Sequence, residues 1–529
     1  MKISGSLLLK DERIRIATGI TIYKDQHIEE TQHYEFANSK LNPHFTEKLY
    51  NLLLPYSDNF EYPVDKTLFR TISSVRNAYT GNHDDYIPNF DAFGELLKEF
   101  IIKDAIDFWV YIKKDDGFFY PAAINSIHER SGRDDDPKFV MEVVYRNFDG
   151  IIRENFYFEP QEVSRKDIKK VLMNKGIFKE NKDLKDNYLE EISYFNECVA
   201  TRFAEQFEFS GRGFDSWKDR HAEIESLRNR RVVHDVDKIL FLDESLSIPN
   251  KLNIKLSDIE VPLITVLRVF DLISHKFFST NTGNLLEHKY DDTIINKIIL
   301  PESHKELLEV LTEDLMEFSK DIVDGKTAGN TILCQGIFGV GKTLTAEIYS
   351  EMVRRPLYRV NCNDLGTSAT SIDSNLNKVF SNAKRWGAIL LIDEADIFVT
   401  QRGVNIEQNA IVGVFLQNLE YYDGLIFLTT NLIGSIDGAI LSRCAAIIKY
   451  EPPKNEDAKK VWRVMCDNFG VQINDDLIDS LIKTFPTIVP RDVKMLLRLV
   501  LRFSKKKNKP VDIGLFKRCA IYRNIEMVG

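Results

Sequence analysis

The sequence predicts an α/β protein: a parallel sheet of five strands with a C-terminal all-helical lid, preceded by a mixed α+β region that includes a small β-barrel. Three observations carry this. From Ile298 onward, apolar runs of strand length (331–335, 357–361, 388–393, 425–430 and 445–450) alternate with helical stretches, the pattern of a parallel sheet covered on both faces. After Pro452-Pro453, four helical patterns run to the C-terminus. Between residues 108 and 160, short aromatic-rich runs are broken by Asp115-Asp116-Gly117 and Asp149-Gly150, which reads as a meander of short strands.

Composition sets the outer bounds. The chain has 529 residues, 43% apolar and 28% charged, which is globular usage and enough for three or four domains. No stretch approaches the ~18 uncharged apolar residues of a membrane span. Only Leu7-Leu8-Leu9 precedes Lys10, Asp11 and Glu12, so no signal-peptide centre is expected. Cys198, Cys334, Cys362, Cys444, Cys466 and Cys519 are scattered, without a CxxC pair. That predicts reduced thiols, a cytoplasmic location, and neither a zinc site nor a disulfide framework. The net charge of −10 argues against a nucleic-acid or membrane partner.

Taken in order, residues 1–107 form a mixed α/β region. Alternating Ile14 and Ile16, then Ile20 and Ile22, predict strands, and Leu96, Leu97, Phe100 and Ile101 give residues 93–106 an apolar helical face. Residues 108–163 resemble a small Tudor-like barrel; Trp109, Tyr111, Tyr120 and Tyr145 either hold a cation or peptide or, the plainer reading, fill its core. Residues 164–295 form a connecting region, helical to 235 and mixed beyond. Residues 296–451 hold the parallel sheet. There Ile372, Leu376, Val379, Phe380 and Ala383 keep one face of a covering helix apolar. Residues 452–529 are the lid.

The chemistry concentrates in 296–529. Gly336-Ile337-Phe338-Gly339-Val340-Gly341-Lys342-Thr343 matches G-x-x-x-x-G-K-[ST], between a strand and a helix. In that context backbone N–H groups and the helix N-terminus cradle phosphates, Lys342 reaches the β- and γ-phosphates, and the Thr343 hydroxyl ligates Mg²⁺. The candidate nucleotide-binding residues are Gly336, Phe338, Gly339, Val340, Gly341, Lys342, Thr343 and Leu344. About fifty residues on, the apolar run 389–392 ends in Asp393-Glu394. Two acids at the C-terminal edge of a buried strand lie where α/β sheets place ligands: Asp393 suits a metal shell and Glu394 a general base. Asn431, after the next strand, is able to hold a water beside the γ-phosphate, or forms a turn. Arg443 and Arg491 are candidate charge stabilisers or plain solvated arginines.

Together, GIFGVGKT, ILLIDEAD, FLTTN and D-x-A-x-x-SRC resemble the AAA+ ATPases, close to single-module AAA-family ATPases with a large N-terminal region, common in fungi and with bacterial relatives. The resemblance covers about 298–500, with Leu300-Pro301-Glu302 and Lys305 fitting its lead-in. It implies ATP and Mg²⁺ as ligands, Lys342 and Thr343 as Walker A, Asp393 and Glu394 as Walker B, Asn431 as sensor 1, Arg443 as a trans-acting arginine finger and Arg491 as sensor 2. It also implies a ring, most often a hexamer. Ile337-Phe338 replaces the usual Pro-Pro, and Gln408 and Leu432 stand where the relatives carry arginine. Ser368-Ala369-Thr370 maps onto the substrate-gripping loop of threading rings but has no aromatic.

Three functions follow. The first is a ring ATPase that remodels a protein partner bound by residues 1–295. The others are an ATP-triggered signalling or defence assembly and a clamp-loader-like nucleic-acid-dependent ATPase. Against the last stand the acidic balance and the sparseness of Arg228, Arg230 and Arg231; Lys505, Lys506, Lys507 and Lys509 read as a solvated loop between lid helices.

Overall fold

Capping overrides alternation at the N-terminus. Ser4 accepts from the Leu7 N–H, Asp11 accepts from the Arg13 N–H, and Gly19 closes the second turn at φ 66°. The segments Gly5–Lys10 and Glu12–Thr18 are therefore helices. Ile14 and Ile16, expected on a strand, sit on the second of them, Ile14 buried and Ile16 exposed; Ile22 lies outside the described residues. The computed structural model describes residues 1–20, 28–36, 43–80, 86–87, 90–130, 138–148, 150–214, 223–236, 246–249, 258–291, 294, 302–313 and 331–528. Of the lead-in, residues 298–301 are likewise outside them.

The chain divides into two units, Met1–His288 and Lys289–Gly529. In the first, β1 (Trp109–Lys113), β2 (Phe119–Arg130), β3 (Lys138–Asn147) and β4 (Gly150–Phe158) form the expected antiparallel meander. A fifth strand, β5 (Ile177–Lys179), pairs with β1 and carries this sheet past residue 163, in the open order β4-β3-β2-β1-β5. Trp109, Tyr111, Tyr120 and Tyr145 are buried in its core, so the core-filling reading holds.

Helix α1 (Lys182–Thr201) buries Leu184 and Tyr188 in that core and Phe195, Cys198 and Val199 in the next. Helical structure was expected to continue to 235. Instead β6 (Gln206–Phe214) and β7 (Glu223–His234) make a long antiparallel hairpin, because Phe207 and Phe209 are buried around exposed Glu208, a period of two. With β8 (Val266–Asp271), β9 (Lys276–Asn281) and β10 (Leu285–Glu287) they build a second sheet. Pairing of Phe214 with Ser279 brings β6 back onto β9, so this second sheet closes on itself in a barrel-like way.

The second unit carries β11 (Thr331–Gly336), β12 (Leu357–Asn361), β13 (Ile389–Asp393), β14 (Ile426–Thr430) and β15 (Cys444–Tyr450), all parallel, in the order β12-β13-β14-β11-β15. Every residue of β13 and β14 is buried, as strands covered on both faces require. Helices α2 (Lys342–Met352), α3 (Ala369–Trp386) and α4 (Ile406–Tyr421) connect them. Four lid helices follow: α5 (Asn455–Asn468), α6 (Asp475–Thr484), α7 (Pro490–Lys507) and α8 (Ile513–Ile521). They close on fully buried Trp462, whose ring meets Phe516 edge-on at 5.7 Å. Lys505, Lys506 and Lys507, expected in a loop, form the last turn of α7 before Asn508 at φ 49°, where cations offset the helix dipole.

Candidate functional site

The loop between β11 and α2 reverses through Gly339 (φ 83°) and Gly341 (φ 109°), conformations that disfavour a side chain. At Gly339 space also forbids one: a Cβ there would stand 2.9 Å from Arg491 Cβ. Lys342 opens α2, and its ammonium folds back into the loop. Nζ donates to Gly336 O at 2.7 Å, Ile337 O at 2.8 Å and Asn431 Oδ1 at 2.9 Å. Burial lowers its pKa, with Asp393 and Asp396 opposing that shift.

The hydroxyl of Thr343 donates to the Asp393 carboxylate, 3.0 Å to Oδ1 and 3.3 Å to Oδ2. Thr429 Oγ1 also donates to Asp393 Oδ1, and Arg359 Nη2 on β12 donates to Oδ2 at 2.6 Å. Glu394 follows at φ 55°; its N–H donates to Thr429 Oγ1 at 3.0 Å, and its side chain stays exposed. Asp396 accepts the Asn431 N–H at 2.9 Å and the Thr430 hydroxyl at 2.5 Å on Oδ1. With the Asn431 amide 3.4 Å from its Oδ2, this carboxylate turns Asn431 so that Oδ1 faces Lys342.

These groups line one cleft of about 560 Å³, which the lid completes with Met465, Arg491, Lys494, Met495 and Arg498. Of the sequence-predicted residues, Phe338, Gly339, Gly341, Lys342, Thr343, Leu344, Asp393, Glu394, Asn431 and Arg491 line it. Val340 is instead buried in the core beneath, and Gly336 meets the site through its carbonyl. Arg443 is not among the lining residues: its guanidinium donates to Ala439 O at 3.2 Å and lies 3.4 Å from Glu420 Oε2. It follows the short helix Gly438–Leu441, capped by Asp437, whose carboxylate Arg402 clamps at 2.8 Å. Gln408 Nε2 donates to Ile397 O, and Leu432 is half-buried. Ser368 is the N-cap of α3, so Ser368-Ala369-Thr370 begin a helix.

Sequence reasoning missed Arg359, Asp396, Lys494 and Arg498. A cation between the buried apolar Tyr358 and Val360 signals Arg359, and the last acid of Asp393-Glu394-Ala395-Asp396 signals Asp396. Lys494 and Arg498 recur at helical spacing after Arg491.

The oxygens of Thr343 and Asp393 are hard donors. Among the described residues no cluster of three His, Cys, Asp or Glu side chains is placed to hold a metal alone. Such a pair fits an ion that completes its shell with phosphate oxygens and water, as Mg²⁺ does. No described helix is long and apolar enough to cross a membrane.

Residues 332–452 match the family described as "ATPase family associated with various cellular activities (AAA)". An uncharacterized AAA family ATPase of Sinorhizobium fredii is 28% identical over 169 residues, 30% of this chain and 50% of that protein. Human ATPase family AAA domain-containing protein 3B is 24% identical over 168 residues, 30% of this chain and 26% of that protein. The chain thus spans half or less of the length of these relatives. Among solved structures, a chain of the E. coli MS115-1 HORMA:CdnC:Trip13 complex aligns at TM-score 0.36 and 17% identity, covering 44% of this chain and 91% of its own.

Proposed function

Since residues 332–452 are an AAA ATPase domain, we propose that the chain binds Mg-ATP in the cleft beneath the lid, hydrolyses it, and couples hydrolysis in a ring oligomer to remodelling a protein partner bound by residues 1–295. One observation carries the chemical part: Lys342, Thr343, Asp393, Glu394, Asn431 and Arg491 line a single cleft. The Lys342 ammonium, held by three oxygens, exchanges them for β- and γ-phosphate oxygens. Thr343 and Asp393 would hold Mg²⁺, which would supply positive charge to offset the charge that develops on the phosphates. Glu394, exposed at the end of a buried strand, takes the proton of an attacking water, and Asn431 orients that water. Arg491 offsets phosphate charge from the lid of the same chain. Arg443, outside its own cleft, serves a neighbour's site, which is what supports the ring.

Partner remodelling is favoured over polypeptide threading because Ser368-Ala369-Thr370, at the start of α3, offers no aromatic grip. The net charge of −10 speaks against dependence on nucleic acid. The test is a pair of variants: Lys342→Ala should lose ATP binding, and Glu394→Gln should keep ATP yet hardly turn it over. Wild-type turnover by Glu394→Gln would overturn the proposal. A pull-down with the ATP-loaded Glu394→Gln form then tests for the partner.

A further inference from the structure

The buried carboxylate of Asp393 already has a cation. Tyr358 and Val360 of β12 are buried, and Arg359 between them points to the opposite face, into the cleft. There its Nη2 is 2.6 Å from Asp393 Oδ2; the arginine side chain is 47% exposed and the aspartate 7%. The Lys342 ammonium is taken up by Gly336 O, Ile337 O and Asn431 Oδ1. Thr343 and Thr429 bring hydroxyls, not charge, to Asp393. Among the described residues, the guanidinium of Arg359 is thus the cation bonded to this carboxylate.

We propose that Arg359 is a positioning residue of the metal site. It balances Asp393 while no divalent ion is present and must leave Oδ2 when the ion arrives, so that it sets the metal concentration at which the site loads. The inference rests on the reading of the cleft as a Mg-nucleotide site. Two physical terms support it. A carboxylate that is nearly buried is stable only with a compensating charge, which explains a strand arginine beside the acid. A dication entering beside a fixed guanidinium meets like-charge repulsion, which at this separation changes a binding equilibrium by about tenfold or more. Arg359 reaches Asp393 from the solvent side on a long, half-exposed arm, so it is able to swing away without disturbing the strand.

The experiment measures metal binding, not turnover. Full-length protein saturated with ADP is titrated with Mn²⁺ and free ion is read by electron paramagnetic resonance, while mant-ADP fluorescence in EDTA reports the nucleotide alone. Arg359→Ala and Arg359→Gln should each lower the half-saturating Mn²⁺ concentration by about tenfold; Arg359→Lys, which keeps a charge, should stay within about threefold of wild type. Unchanged or weaker Mn²⁺ binding in both Arg359→Ala and Arg359→Gln, with mant-ADP still bound, would overturn the role of Arg359 alone. Absence of mant-ADP binding by the wild type would overturn the nucleotide-site reading, and this inference with it.

Discussion

Asp396 shows how much of the cleft's geometry is carried by a residue outside its lining. It meets Asn431 through the backbone N–H at 2.9 Å and Thr430 through its hydroxyl, so one carboxylate fixes both the backbone and the side chain of the residue that faces Lys342. Removing it frees the Asn431 amide to rotate, and misplacement of an orienting group costs rate more than affinity. Asp396→Ala should lower kcat of ATP hydrolysis by about 10²-fold while KM moves less than about threefold. Asp396→Asn, able to accept but not to charge the site, should recover part of the loss. Equal loss in kcat and gain in KM would assign Asp396 to nucleotide binding instead.

Among the elements, the helix Gly438–Leu441 is too short to hold itself. It is held by Asp437, which accepts the Ala439 N–H at 2.9 Å, donates its own N–H to Val399 O at 2.8 Å and pairs with Arg402. The Arg402 guanidinium, then the backbone N–H groups of Ala439 and Arg402, keep the Asp437 carboxyl below its ordinary pKa in spite of burial. A folded pKa below the unfolded one means stability that is fully present above about pH 3.9 and is lost as pH falls through the lower folded value. Thermal melts of wild type and Asp437→Asn should therefore differ most near neutral pH and converge toward pH 3. A constant gap in Tm across that range would show that the ion pair is not what holds the element. Arg443 lies just past the C-cap Ser442 of this helix, so, if it acts as proposed, ATP turnover should fall with the cap.

For the whole molecule, the proposed ring would make assembly part of the chemistry, and Arg443 is the residue that tests it. An arginine outside its own cleft, paired with Glu420 at 3.4 Å, contributes to hydrolysis only where a second chain brings a phosphate to it. Arginine fingers are worth about 10³–10⁵ in rate. Turnover per chain should consequently fall on dilution while nucleotide affinity stays level. Mixing Lys342→Ala with Arg443→Ala should restore activity that neither has alone, since some interfaces then combine an intact Lys342 with an intact Arg443. Full activity of Arg443→Ala by itself would show a surface arginine and remove the main support for a ring.

The sequence by itself determined the five parallel strands and the four lid helices, each within a residue or two for the strands, because a doubly covered sheet needs unbroken apolar runs and lid helices need apolar stripes. It also singled out Lys342, Thr343, Asp393, Glu394 and Asn431, which the fold brings to one cleft, since residues at the ends of neighbouring parallel strands converge at one edge of the sheet. Only the tertiary structure decided the rest. Ile14 and Ile16 alternate like a strand, yet caps at Ser4, Asp11 and Gly19 make them helical. The barrel-like closure of the second sheet depends on Phe214 meeting Ser279, a pairing that alternation within one strand cannot specify. Arg359 and Asp393 lie 34 residues apart in sequence and 2.6 Å apart in space. Which cation meets a buried carboxylate is set by the register of neighbouring strands, and that register is a property of the folded sheet.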